Sequence, residues 1–136
     1  MLGLGRVFNV IPAASGVHIP LTHASAVSFV TFEDDGSTIA TIKESIAGAS
    51  EQALDVNVHP YKGPGVGGTW TAMAEQDDTL DLGDDTTNDA MVFTIHGSQL
   101  SDGFDSVEVT VDGGICIAIL HDLNVQRAPE NLASSV

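Results

Sequence analysis

The stretch from Phe104 to Val125 constrains the fold more than any other. Val107, Val109 and Val111 alternate with Ser106, Glu108, Thr110 and Asp112. That period of two marks a strand with one face in a core. Asp112-Gly113-Gly114 follows as a turn, because glycine takes positive φ at no steric cost. Beyond it, Ile115, Ile117 and Ile119 alternate with Cys116, Ala118 and Leu120, so this strand is apolar on both faces. The two segments read as a β-hairpin at the middle of a β-sandwich. A two-residue loop would place Glu108 beside Ile119. A three-residue loop pairs Val111 with Ile115, Val109 with Ile117 and Val107 with Ile119, and gathers six β-branched residues on one core face. That register leaves Cys116, Ala118 and Leu120 on the other face, to be covered by another segment or another subunit.

The rest of the chain carries the same signature in shorter pieces. Residues 25–32 read as a strand, with Val27 and Phe29 on one face and Val30 and Phe32 on the other. A turn at 33–36 leads to a strand at 37–43, closing a hairpin. Residues 44–52 fit a helical turn or a loop, and Gly48 weakens the helix. Leu54, Val56 and Val58 predict a strand over 53–58, and Trp70 sits in another over 69–74. The prolines and glycines of 59–68 predict a loop. Leu80 and Leu82 mark a short strand inside the acidic segment 75–89. Met91, Phe93 and Ile95 face inward on a strand over 90–96. The expected fold is all-β, an antiparallel, jelly-roll-like sandwich of about eight strands. It is one domain of 136 residues, with an N-terminal arm over 1–20, a β core over 21–127 and a C-terminal tail over 128–136.

Charge narrows the partners. Nineteen acids face only Arg6, Lys43, Lys62 and Arg127, for a net charge of −15. Such a chain cannot neutralise a row of phosphates, so nucleic acid is not an expected partner, nor is an anionic membrane. A basic protein surface suits it. Cys116 is the only cysteine, so no intrachain disulfide forms, which fits a reducing compartment. Within its apolar run it reads as a small buried hydrophobe. The N-terminus lacks the basic and long apolar regions of a signal peptide, and no run reaches the length of a membrane span.

No catalytic motif is evident and no cofactor is expected. Among the seven acids of 75–89, Asp81, Asp84 and Asp85 are the calcium candidates, but the offsets of an EF-hand are absent. The five histidines (His18, His23, His59, His96 and His121) show no zinc-ligand spacing and read as isolated side chains. The glycine-rich run 63–68 lacks the Lys-Ser/Thr of a phosphate loop. Arg127, beside Asp122, Pro129 and Glu130, either pins the tail through a bidentate carboxylate pair in this subunit or a neighbour, or is a solvated side chain.

The run from Gly103-Phe104-Asp105 through the two strands to His121-Asp122-Leu123-Asn124-Val125-Gln126-Arg127-Ala128-Pro129 resembles small virion proteins of tailed bacteriophages, the head decoration (cement) or minor capsid proteins. The resemblance covers roughly the last quarter of the chain. It implies a β-sandwich on the outside of the capsid, bound to the major capsid protein, clustered with copies of itself as trimers, and neither enzymatic nor cofactor-dependent. Such a protein is assembled in the host cytoplasm and resides on the virion exterior. The residues expected at its interfaces are Leu2, Leu4, Arg6, Val7 and Phe8 of the arm, Cys116, Ala118 and Leu120 of the last strand, and Arg127, Pro129 and Leu132 of the tail. A dimer is the second choice of oligomer. The alternatives are a carbohydrate- or receptor-binding sandwich using Tyr61 and Trp70, the only Tyr and Trp, and a tail or head–tail connector component.

Overall fold

A computed structural model describes residues 8–33, 38–82, 87–124 and Ser135. Its described residues form eleven strands and one short 3₁₀ turn. The strands are β1 (Phe8–Pro12), β2 (His18–Pro20), β3 (Ala24–Phe32), β4 (Ile39–Ile46), β5 (Ala49–Ala53), β6 (Tyr61–Gly63), β7 (Thr71–Ala72), β8 (Thr79–Asp81), β9 (Ala90–His96), β10 (Ser106–Val111) and β11 (Ile115–Leu123). They make two antiparallel sheets, one ordered β1-β11-β3-β9-β6-β7 and the other β2-β10-β4-β5, with β8 also pairing to β4. The all-β sandwich expected from the sequence is the fold observed. With β6, β7 and β8 set aside as an insertion, β1-β11-β3-β9 over β2-β10-β4-β5 is the strand order of an eight-stranded jelly roll.

The expected central hairpin does not form. β10 pairs with β2 and β4, while β11 pairs with β1 and β3, so the chain crosses from one sheet to the other at 112–114. β1 to β2 and β3 to β4 cross in the same way, which also removes the hairpin expected between residues 25–32 and 37–43. Three crossovers therefore stack side by side, with β10–β11 in the middle. The alternation of the sequence is respected, but each strand's partner is different. Val107 and Val109 face the core from one sheet, and Cys116, Ala118 and Leu120 face it from the other. The isoleucines expected in the core point outward: Ile117 and Ile119 are half-buried and Ile115 is 65 % exposed.

Between the sheets, Ile19, Val27, Phe29, Ile42, Leu80, Met91, Phe93, Ile95, Val107 and Ala118 belong to one buried cluster. Phe29 and Phe93 stack with ring centroids 5.4 Å apart, an arrangement that adds to their area burial. Residues 8–20 are not a free arm. β1 caps one sheet on β11 and β2 caps the other on β10, so the sandwich begins well before residue 21. The ambiguous segment 44–52 is the end of β4, a two-residue turn and β5. Ala47 and Gly48 both take positive φ there, as the favoured two-residue hairpin turn demands. The strand expected over 53–58 is absent: Leu54 and Val58 are buried, but only Val58 makes a bridge, to Gln76. Conversely, the loop expected over 59–68 contains β6, and only Thr71 and Ala72 of 69–74 are in a strand.

Gly114 at the β10–β11 crossing and Gly103 in the β9–β10 connection carry expected outcomes. Gly114 has φ +78, and an added Cβ would collide with the Phe32 carbonyl oxygen and lie 2.9 Å from Glu33 Cα. Gly103 has φ +86 but open space around it. Gly114→Ala should lower the unfolding free energy by about 2 kcal/mol or more, and Gly103→Ala by only ~1 kcal/mol. Denaturant titration of the two variants makes the comparison, and equal losses would contradict the crowded crossover.

Glu44 is buried on β4. Burial pushes its carboxyl up, but the Ser101 amide at 2.7 Å and Gln52 Nε2 at 2.6 Å outweigh it and hold the group below its ordinary value of 4.5. Its stabilisation is therefore present at neutral pH and is lost as pH falls through that lowered value. Glu44→Gln should cost about 1–3 kcal/mol at pH 7. The gap between wild type and variant should close on acidification, and a gap independent of pH would contradict the assignment.

Candidate functional site

The two outer faces of the sandwich differ in chemistry. Of the nineteen acids in the chain, only Asp122 lies in a strand of the six-stranded sheet, at the end of β11. The other sheet and the loops carry the rest of the described ones. Strand register shows what the acid-free face presents. One row runs Pro12, Ile117, Val30, Val92, Tyr61, Ala72 across all six strands. The next row runs Ile115, Phe32, Ala90, Gly63. Trp70 packs over the second row, so that a Cβ on Gly63 would lie 3.0 Å from its ring. Phe32, Tyr61, Trp70 and Ile115 are all exposed. Phe32, Glu33, Pro64, Val66, Asp89 and Ile115 line an open recess of about 540 Å³. Charged residues are depleted at the centres of protein interfaces and enriched at rims, and an apolar patch rimmed by polar groups marks an interaction surface.

At the other end of this face the rows turn polar. Ser28 Oγ lies 2.8 Å from His121 Nε2, and His121 Nδ1 lies 3.0 Å from Asp122 Oδ2. These are the distances of a Ser-His-Asp triad. Other features of a triad are missing among the described residues. Asp122 is largely exposed rather than buried. Ser28 also shares its hydroxyl with Thr94 Oγ1 at 2.7 Å. Ser28 sits mid-strand, between β11 and β9. The arrangement is a hydrogen-bonded patch on a flat sheet.

The expected interface residues are redistributed. Cys116, Ala118 and Leu120 are 6 %, 0 % and 2 % exposed and belong to the chain's own core, so they are not a surface for another subunit. Their neighbours Ile115, Ile117 and Ile119 face outward on the same strand. Phe8 pairs with His121 through the backbone. Leu2, Leu4, Arg6, Val7, Arg127, Pro129 and Leu132 lie outside the described residues, as do Asp84 and Asp85. Asp81 is an exposed strand residue whose amide donates to Gln76 Oε1 at 2.7 Å. Not every histidine is isolated: His18 is buried beside Glu51 and Glu108, and the exposed His59 pairs with Glu75 at 3.2 Å. Nothing in the local sequence marks the His18 cluster, because its members come from three different strands.

No protein-family model, curated protein or solved structure matches this chain. No helix is long and apolar enough to cross a membrane among the described residues.

Burial pushes the Cys116 thiol up to about 12, so almost none is thiolate at neutral pH. A disulfide-exchange reagent at pH 8 should leave the folded chain unmodified and label one thiol per chain after unfolding. Rapid labelling of the native protein would show that this side of β11 is open.

Proposed function

We propose that this chain is a structural virion protein that binds the outer surface of a phage capsid and bridges major capsid subunits. The observation that carries the docking part of the reading is the withdrawal of acids from one sheet face in a chain of net charge −15. A partner with a basic rim around an apolar centre complements such a face. Glu33 and Asp89 line the recess and Asp122 lies near the end of β11, and these three carboxylates pair with that rim. The resemblance of residues 103–129 supplies the kind of partner, a capsid lattice. A jelly roll is compatible with this role, and equally with lectins and cupins, so the fold alone does not select it. The role calls for buried area rather than reactive groups, and the protein acts without catalysis. Copies of the chain cluster on the shell, as trimers or secondarily as dimers.

Phe32→Asp and Ile115→Asp alter exposed side chains and should leave the isolated chain folded. Each should reduce co-sedimentation with purified heads by at least about tenfold, since a buried unpaired charge costs more than 1.4 kcal/mol. Unchanged occupancy of both variants, or absence of the chain from purified particles, would refute the proposal.

Carbohydrate binding is the second reading. Tyr61 and Trp70 favour it, being both exposed and close together at one edge of the sheet, where aromatic faces can stack on sugars. Glycan-array binding abolished by Tyr61→Ala with Trp70→Ala would favour this reading over the first.

A further inference from the structure

On the opposite side of the molecule, three side chains meet over the outer face of the five-stranded part of the sandwich. His18 of β2 and Glu108 of β10 stand opposite each other in the strand register. Loop 13–17 and β5 cover them, leaving them 6 % and 4 % exposed. Glu51 reaches in from β5 and is more open. His18 Nε2 lies 3.6 Å from Glu51 Oε2 and 3.8 Å from Glu108 Oε2. The three ligand atoms fall within 4.8 Å of one another. These gaps are too long for hydrogen bonds. They approach the ~3.3 Å between ligand atoms around a tetrahedral ion with bonds of about 2.0–2.1 Å.

We propose that His18, Glu51 and Glu108 bind one divalent first-row transition ion of the zinc class. Glu108 Oε2 supplies an independent reason. It is a fully buried carboxylate oxygen without a hydrogen-bond partner among the described residues, a state that is costly unless a cation supplies the missing interaction. It points at the other two ligands.

The second polar atom of each ligand is already held. Ser45 Oγ lies 2.9 Å from His18 Nδ1. With the ion on Nε2, Nδ1 keeps the proton and donates to that hydroxyl. The Gly16 amide donates to Glu108 Oε1 at 2.6 Å, with Thr110 Oγ1 at 3.3 Å. Lys43 Nζ donates to Glu51 Oε1 at 2.7 Å. Outer partners of this kind orient the ligands of protein metal sites. One imidazole nitrogen with two carboxylate oxygens is a borderline set that suits Zn²⁺, whereas Ca²⁺ asks for six to eight oxygens. Three protein ligands leave a fourth position to water. The ion would tie β2 and β5 to the central β10, and β5 is otherwise exposed along its whole length.

The test uses the tag-free full chain, stripped with chelator and titrated with ZnCl₂ by calorimetry and with CoCl₂ by visible absorption. One ion should bind per chain, with a rise in Tm and a ligand-field band for cobalt. Mg²⁺ and Ca²⁺ at the same concentrations should give neither. Glu51→Gln, a change at the open ligand that should not disturb folding, should weaken Zn²⁺ binding by roughly 10- to 100-fold. His18→Gln should abolish it. His59→Ala, at the separate His59–Glu75 pair, should leave it unchanged. Absence of saturable Zn²⁺ and Co²⁺ binding would overturn the proposal and leave a histidine bridging two carboxylates. Binding undiminished in Glu51→Gln and His18→Gln, or lost instead in His59→Ala, would overturn it as well.

Discussion

The packing of two sheets across a single chain crossing at Asp112-Gly113-Gly114 is the constraint from which the rest of this structure follows. β10 and β11 are each flanked on both sides, one in each sheet. Their inward side chains meet across the core rather than side by side. Once that crossing is made, β1–β2 and β3–β4 are laid down as parallel crossings on either side. Gly114 makes the crossing possible because a side chain there would strike the backbone at Phe32 and Glu33. Burial of Phe29, Phe93, Val107 and Ala118 between the sheets supplies the driving force.

Much of this was legible in the residues. The inward set of β9, the faces of β3, the short strand at Leu80 and the central place of residues 104–125 all follow from period-two alternation. Partner choice did not follow, because alternation identifies a strand's faces and says nothing of which neighbour it pairs with. Asp-Gly-Gly serves a hairpin and a crossing equally well. In β11 both faces are apolar, so the sequence offered two inward sets, and bulk favoured the isoleucines. The structure takes the smaller Cys116, Ala118 and Leu120, and Phe29 packs in the same cluster, its backbone paired with Ala118. The β4–β5 turn was missed because Ala47-Gly48 replaces the usual Asn-Gly. β6 is hidden by the glycines and prolines around it, whereas β7 falls inside the strand expected over 69–74.

The same limit governs the sites. The acid-free face becomes visible only when rows are read across strands, because Pro12, Ile117, Val30, Val92 and Tyr61 come from five separate segments. His18, Glu51 and Glu108 are likewise distant in sequence and converge through strand pairing. No spacing rule detects such a cluster. The outcome is a molecule with two unlike outer surfaces. One has an apolar end and a polar end and carries few carboxylates. The other places a histidine between carboxylates beneath a loop. The Ser28–His121–Asp122 chain shows the opposite hazard, since its distances match a catalytic group that its surroundings do not complete.

The most direct test of this account is the set of cross-strand backbone contacts around β10 and β11 in solution, read as nuclear Overhauser effects on isotope-labelled protein. Contacts between Val109 and Ile42 and between Ala118 and Phe29 are expected from the strand registers. Backbone contacts between Val109 and Ile117 would mean that the two strands pair as a hairpin, and would contradict the crossing on which both outer faces depend.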